Sequence, residues 1–164
     1  MIGPALTASS NSEPSTADPE LQLCVFSLGR QNYAIDLMRV EEVLHSPELT
    51  AVPGAPPFAA GVIQVRGAIV PVVDLRELLS VKALPRPRPK YLLCRIGTRR
   101  LGVMVDAVAE VMRVRRSELT PLPSLVSPGE HPYLIGLAGL PDRPALLLEL
   151  KGLLKQRGGA RAEG

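Results

Sequence analysis

An internal repeat constrains the fold of this 164-residue chain more than any other feature. Residues 23–44 align without a gap with residues 91–112, and residues 58–79 align in the same way with residues 133–154. Few positions are identical, but both copies share the order of apolar residues, glycines and turn residues, as a common fold requires. One copy is near the size at which a single core is only marginally stable, so we expect the two copies to pack together.

The copies differ most sharply at one position. Arg66 follows a strand-like segment of the first copy, and the aligned residue of the second copy is Pro141. Other polar positions are kept, such as Glu42 and its counterpart Glu110. A difference of this kind between two otherwise similar copies indicates function, because the two units are then expected to meet different partners.

The apolar pattern predicts five short strands and two short helices in each copy. Short apolar runs that end at tight turns predict the strands. They are expected at residues 23–28, 33–37, 50–52, 61–66 and 68–73 in the first copy, and near 91–96, 101–105, 119–122, 134–140 and 145–149 in the second. Apolar residues at positions 37, 40, 43 and 44 have helical spacing, which predicts a short helix there and another in the aligned segment 106–112. Further short helices are predicted after Asp74, a good N-cap residue, and over residues 150–156. Five short strands close readily into a small barrel, so the predicted fold is mainly β, with two barrels side by side.

The composition along the chain predicts where the barrels begin and end. Residues 1–21 are acidic and poor in large apolar side chains, which predicts a disordered leader. The basic, proline-rich segment 82–90 predicts an extended linker between a first barrel unit at about 22–81 and a second at about 91–155. Residues 156–164 are predicted to be a flexible basic tail.

The residues that catalysis or metal binding would need are not grouped in this sequence. His45 and His131 stand near prolines, with no ligand residue at a suitable spacing. No phosphate-binding loop or nucleophile motif is found, so we expect neither an enzyme nor a bound metal or cofactor. Cys24 and Cys94 lie in apolar runs and are expected to be buried free thiols rather than a disulfide or a metal pair.

The sequence also bears on the cellular location. The first residues lack the basic and apolar regions of a signal peptide, and no apolar run approaches the roughly 18 residues of a membrane span. We therefore expect a cytoplasmic protein with no direct insertion into a membrane.

Two kinds of binding partner are compatible with small barrels. Single-stranded nucleic acids need exposed aromatic rings in a positive groove, whereas the aromatic residues here lie in or beside apolar runs and the basic run 113–116 has no neighbouring ring. An amphipathic helix fits the apolar groove expected between two adjacent barrels. The residues thus favour a protein-interaction module, with a nucleic-acid-binding barrel as the less favoured alternative.

One segment carries a family resemblance. The sequence GVIQVRGAIVPVVDLRELL (61–79) resembles the signature of the CheW family, the coupling proteins of bacterial chemosensory arrays. The segments YAIDLMRVEEV (33–43) and TAVPGAPPFAAG (50–61) are also similar to that family, and the resemblance extends over about residues 22–155. It implies two intertwined five-stranded barrels like SH3 domains, with a hydrophobic groove between them and no enzymatic activity.

The resemblance also implies partners. Proteins of this family bridge the cytoplasmic hairpin tip of methyl-accepting chemoreceptors and the regulatory domain of the histidine kinase CheA. It places this chain in the cytoplasm at membrane-anchored receptor arrays. An alternative within the family is a variant that binds only the receptor or only the kinase in a non-flagellar pathway.

Four residues are expected at the receptor site by this resemblance. The arginine of the family signature aligns with Arg66, and the family's glutamate aligns with Glu42, so we expect an ion pair that orients the guanidinium toward a receptor helix. Val40 is expected to line the same groove, and Val65 is assigned to the same site. The usual Asn-Leu before the arginine is Gln64-Val65 here, which leaves open which receptors this chain serves. The alternative for Glu42 and Arg66 is an ordinary surface ion pair.

Overall fold

The computed structural model describes residues 18–45, 47–81, 88–122, 133–139 and 143–155, and strands predominate within them. The strands are β1 (Glu20–Leu28), β2 (Gln31–Asp36), β3 (Val40–His45), β4 (Ala59–Val65), β5 (Ala68–Asp74), β6 (Lys90–Ile96), β7 (Arg99–Val105), β8 (Ala107–Arg115), β9 (Leu134–Ala138) and β10 (Ala145–Leu148). Helix α1 is Leu75–Leu79, and residues 150–155 form helix α2. The prediction of a mainly β fold agrees with this order. However, the segments 37–44 and 106–112, predicted as helices, contain strands β3 and β8, whereas the predicted strands at 50–52 and 119–122 form only isolated β-bridges at Thr50 and Thr120.

The strands form two five-stranded sheets that exchange strands between the copies. Sheet I has the order β8-β1-β2-β10-β9, and sheet II has the order β3-β6-β7-β5-β4. Each sheet takes two strands from one copy and three from the other, joined by the parallel pairs β2 with β10 and β5 with β7. We call the barrels built on these sheets barrel I and barrel II. The barrels are intertwined, and the assignment of barrel units to residues 22–81 and 91–155 is therefore wrong.

Strands near the middle of each sheet are buried on both faces. In β1, Leu23 and Val25 pack inside barrel I, whereas Cys24 and Phe26 pack between the two sheets. Strands β5, β6 and β10 alternate in the same way between the interior of a barrel and the core that the two barrels share. This double burial explains why the sequence shows continuous apolar runs instead of a strict alternation. It also joins the two barrels through one shared core.

The repeat extends to the irregularities of the strands. A β-bulge lies at Glu41 in β3 and at Ala109 in β8, positions that are aligned in the two copies. A second pair of bulges lies at the aligned positions Ala60 in β4 and Ile135 in β9. Since a bulge bends its strand and changes which side its residues face, both copies bend at the same points.

These bulges explain why the predicted helices at 37–44 and 106–112 are wrong. Residues Leu37–Arg39 form a single 3-10 turn, and residues 40–45 form β3. The extra residue at Glu41 lets Val40 and Val43 both contact the shared core, although residues three apart face opposite sides of a regular strand. A turn followed by a bulge thus imitates helical spacing, and the aligned bulge at Ala109 does the same in β8.

The glycines shared by the copies mark close backbone contacts. A Cβ atom at Gly61 would lie 2.3 Å from the Thr50 carbonyl oxygen, and one at Gly136 would lie 3.0 Å from that of Thr120. Thr50 and Thr120 are bridged to the aligned strands β4 and β9. Only glycine leaves room for the extra segment at position 61, whereas at position 136 a Cβ would require the Thr120 carbonyl to move by a few tenths of an ångström.

The ends of the predicted segments are partly revised. Asp74 caps α1 as predicted, because its Oδ1 accepts a hydrogen bond of 3.0 Å from the backbone N–H of Arg76. Strand β1 begins at Glu20, and the Asp18 carboxylate accepts two hydrogen bonds from Ser117, so the folded chain starts before the predicted boundary at residue 22. Residues 82–87 of the predicted linker and the tail 156–164 lie outside the described residues.

Candidate functional site

Arg66 occupies a turn that does not favour its side chain. It lies with Gly67 between β4 and β5, and both residues have positive φ, at 47° and 87°. Two positive φ values in a two-residue hairpin loop are typical of a type I′ turn, in which Asn-Gly is the favoured pair. A non-glycine residue with a long side chain is uncommon in this left-handed region, so its presence calls for a functional explanation.

The guanidinium of Arg66 is held by Glu42. Its Nη2 donates a hydrogen bond of 2.6 Å to Glu42 Oε1, and 63% of the Arg66 side chain stays exposed to solvent. The hydrogen bond from Arg66 lowers the pKa of Glu42, and the same bond raises the pKa of Arg66. Because the carboxyl pKa is lowered on folding, the pair contributes to stability above the ordinary carboxyl pKa, and the contribution is lost as the pH falls and Glu42 is protonated.

A second ion-pair group lies beside the first. The Glu41 carboxylate accepts a bond of 2.7 Å from Arg95 Nε through Oε2, and its Oε1 lies 3.2 Å from Arg100 Nε. Glu41 is the bulge residue of β3, so it has no paired residue on β6, whereas its neighbour Glu42 pairs with Leu93. We call Glu41, Glu42, Arg66, Arg95 and Arg100 the charged cluster.

The two valines assigned to the site differ in their exposure to solvent. Val40 begins β3 and is half-buried, packed at the edge of the shared core near Cys94, its pairing partner. Val65 is 5% exposed and packs inside barrel II. The Val65 side chain therefore packs on the inner face of the hairpin that carries Arg66, and it is not available to a partner in this structure. Pro141, the counterpart of Arg66, lies outside the described residues.

The outer face of the Arg66 hairpin is partly apolar. A shallow depression of about 390 Å³ is lined by Thr50, Val62, Gln64 and Ile69, among others. Ile69 is 64% exposed, and it stands opposite Gln64 on the neighbouring strand. The hairpin thus presents an apolar side chain on its outer face and a charged one at its tip, which suits a helix with apolar and charged faces.

A buried ion pair joins the two sheets and was not found from the sequence. Arg76 in α1 donates two hydrogen bonds to Asp106, from Nε at 3.1 Å and from Nη2 at 2.9 Å, and Asp106 also accepts a bond of 2.6 Å from the Gly29 N–H. Arg76 follows strands of sheet II, while Gly29 lies in the turn between two strands of sheet I. Arg76 lies within the signature segment (61–79) but was not singled out there. Nothing in the local pattern pointed to Asp106.

The two cysteines of the chain lie in the core. Cys24 and Cys94 are both buried, as predicted, and burial raises the pKa of the Cys94 thiol to about 12. Among the described residues, no group of three His, Cys, Asp or Glu side chains could hold a metal ion. No helix in the described part of the chain is long and apolar enough to cross a membrane.

The aromatic rings lie in the core, as the sequence predicted. Four of them are buried, and Phe58 is half-buried against the shared core. Phe26 and Tyr33 stack on each other with ring centroids 6.1 Å apart. None of these rings forms the exposed stacking platform that single-stranded nucleic acids require, so this alternative is not favoured. The rings are Phe26, Tyr33, Phe58, Tyr91 and Tyr133.

Comparisons with known proteins agree on one family. The model of the CheW-like domain matches residues 22–158. Probable chemotaxis protein CheW of Rhizobium etli is 30% identical over 136 residues, which cover 82% of this chain and 88% of that protein. Chemotaxis protein CheW of Rhizobium meliloti is 32% identical over 130 residues, which cover 79% of this chain and 84% of that protein.

A solved structure shows the same fold. The crystal structure of scaffolding protein TtCheW from Thermoanaerobacter tengcongensis is similar to this chain with a TM-score of 0.74 and 28% sequence identity. The similarity covers 84% of this chain and 94% of that one. The prediction of two intertwined SH3-like barrels is thereby confirmed.

Proposed function

Because the chain belongs to the family of CheW-like domains, we propose that it is a non-enzymatic adaptor that couples methyl-accepting chemoreceptors to a CheA-type histidine kinase. The expected location is the cytoplasm, at membrane-anchored receptor arrays. The proposal needs no cofactor, since coupling requires only that one rigid body hold two partners in a defined orientation. A shared core between two unequal barrels provides such a body.

The observation that carries the receptor side of the proposal is the conformation of Arg66. Its φ of 47° lies in the region where asparagine or glycine would be favoured at this turn. The chain nevertheless keeps an arginine there and holds it with Glu42, while 63% of the side chain faces solvent. A guanidinium has five N–H donors in a planar fork, so most of them stay available to carboxylates or carbonyls of a partner helix.

An ordinary surface ion pair is the alternative explanation for Arg66 and Glu42. Barrel I argues against it, because Glu110 occupies the position aligned with Glu42 and has no ion pair among the described residues. A barrel of this design therefore folds without the pair. Val40, at the edge of the shared core beside Glu42, is proposed to contribute apolar contact to the same helix.

The test is a binding measurement with a substitution that suits the turn. Arg66→Asn keeps a residue that favours positive φ and removes the guanidinium, so we expect an unchanged or slightly higher melting temperature. Its affinity for a chemoreceptor cytoplasmic fragment should fall about tenfold or more, as expected for the loss of charge-assisted hydrogen bonds. The wild-type chain should co-sediment with receptor fragments and kinase as a ternary complex.

The outcomes separate the alternatives. An Arg66→Asn variant with wild-type receptor affinity would remove Arg66 from the binding site. Binding of the wild-type chain to only one partner, in separate titrations against receptor fragment and kinase, would support the one-partner variant of the family instead. Binding to neither would refute the proposed coupling.

A further inference from the structure

The hairpin of β6 and β7 carries two arginines in an unfavourable arrangement. Arg95 and Arg100 are directly opposite each other in the β6–β7 register. Like charges at opposite positions of neighbouring strands destabilise a sheet. Glu41 offsets this repulsion, because its carboxylate contacts both guanidiniums from the neighbouring strand β3.

The repeat supplies an internal control for this arrangement. The aligned hairpin of the first copy, β1 with β2, has Ser27 opposite Asn32 at the same two positions. The residue aligned with Glu41 is Ala109, which forms the same bulge. The same backbone is therefore built in barrel I from three uncharged residues. The fold does not require Glu41, Arg95 or Arg100, and a locally unfavourable choice that the fold does not require is typical of a functional site.

The exposure and charge of the cluster indicate what it can bind. The Arg95 and Arg100 side chains remain 47% and 38% exposed although both contact Glu41. With Arg66 and Glu42, the charged cluster has three guanidiniums against two carboxylates, so it carries a net positive charge. Glu41 and Glu42 hold the guanidiniums in fixed positions, which reduces the conformational entropy that binding would otherwise remove. Residues one turn apart on a helix have Cβ atoms about 5–6 Å apart, so two acidic side chains at such positions can lie side by side, each accepting hydrogen bonds from a different guanidinium.

We propose that Arg95 and Arg100, positioned by Glu41, extend the Arg66 site into a docking surface for an acidic helix face. The partner is a helix that presents at least two carboxylates beside the segment that contacts Arg66. This inference rests on the proposed function, since that helix belongs to the receptor. The added contacts determine which receptors this chain accepts, because a helix without those carboxylates leaves two arginines unpaired at the interface.

The test transplants the residues of barrel I into barrel II. The triple variant Glu41→Ala, Arg95→Ser, Arg100→Asn carries the residues of the aligned positions 109, 27 and 32. We expect its melting temperature to remain close to that of the wild type, because barrel I already folds with these residues. The affinity for a chemoreceptor cytoplasmic fragment, measured by calorimetry, should fall about tenfold or more. The loss of affinity between 50 and 300 mM NaCl should also be smaller than for the wild type.

Two further measurements separate the possible failures. If the wild type binds the receptor fragment and Arg66→Asn weakens it, an unchanged affinity of the triple variant overturns this inference and leaves the proposed function intact. If the wild type does not bind receptor at all, the proposed function fails as well. If the triple variant unfolds, the single variant Arg100→Asn takes its place, because it keeps the Arg95–Glu41 ion pair. Its affinity for the receptor fragment should be lower than that of the wild type, and that affinity should depend less on the salt concentration. Wild-type values for that variant would equally overturn the inference.

Discussion

Replacing Asp106 with asparagine is expected to lower the melting temperature by roughly 10 °C. The hydrogen bonds that the Asp106 carboxylate accepts include two from Arg76 and one from the Gly29 N–H. Asparagine keeps the shape of the side chain but replaces one oxygen with an NH2 group. In either orientation of the amide, this donor faces at least one of the three N–H groups, and the positive charge of Arg76 loses its counterion.

The magnitude follows from the burial of the pair. The Arg76 side chain is 9% exposed and that of Asp106 is 16% exposed. Removing one partner of a buried ion pair costs about 3–5 kcal/mol, and the partial exposure of Asp106 places the expected loss near the lower limit, at about 3 kcal/mol. For a domain of this size, each kcal/mol shifts the melting temperature by about 3–4 °C, which leads to the expected 10 °C.

Thermal and urea denaturation followed by circular dichroism would measure this loss. The matched control is Glu42→Gln, which breaks an exposed ion pair and should change the melting temperature by less than about 2 °C. The double variant Arg76→Met, Asp106→Asn should recover part of the lost stability if the unpaired buried charge is the cause, because the amide oxygen can still accept the bond from the Gly29 N–H. An Asp106→Asn variant that melts within about 2 °C of the wild type would refute the reasoning.

Two further predictions concern backbone contacts and a buried thiol. Gly61→Ala should lower the free energy of unfolding in urea far more than Gly97→Ala does. The new Cβ at position 61 would lie 2.3 Å from a carbonyl oxygen, whereas Gly97, with φ 65°, has open space around it, so alanine there costs only the left-handed backbone penalty of about 1–2 kcal/mol. Equal losses of stability in the two variants would contradict this. Burial raises the pKa of Cys94 from its ordinary value of 9.0 to about 12, so the thiol ionises at lower pH in the unfolded chain than in the folded one. The free energy of unfolding should therefore fall as the pH rises above 9.0, by up to about 1.4 kcal/mol per pH unit. Urea midpoints between pH 7 and 10.5 should show a shallower decline for Cys94→Ala, and identical profiles would count against the assignment.

The local pattern of the sequence was sufficient to place most strands. Tight turns and apolar runs depend on neighbouring residues, so β4, β5, β6 and β7 lie close to where they were predicted. The helix predicted at residues 37–44 failed for the opposite reason. Whether apolar residues three apart belong to a helix or to a bulged strand depends on the partner strand, and β3 pairs with β6 from the other copy.

The candidate site was predictable only in part. Arg66 could be named from the signature segment and from the difference between the copies. Glu42 could be named from the family resemblance of segment 33–43, and the structure brings the two side chains to 2.6 Å. Arg95 and Arg100 gave no signal of their own, because their relation to Glu41 exists only across the exchanged strands. Val65 was assigned to the same site, but the alternation of β4 turns its side chain into barrel II.

The sequence by itself determined the repeated unit, the turns, the apolar faces and the difference between Arg66 and its counterpart Pro141. These features depend on residues close together in the chain. Only the tertiary structure decided which copy each strand joins. Because both copies share one pattern, closing each copy on itself and exchanging strands satisfy that pattern equally. The choice depends on contacts between distant segments, such as the shared core and the Arg76–Asp106 pair. The same exchange assembles the charged cluster from both halves of the chain.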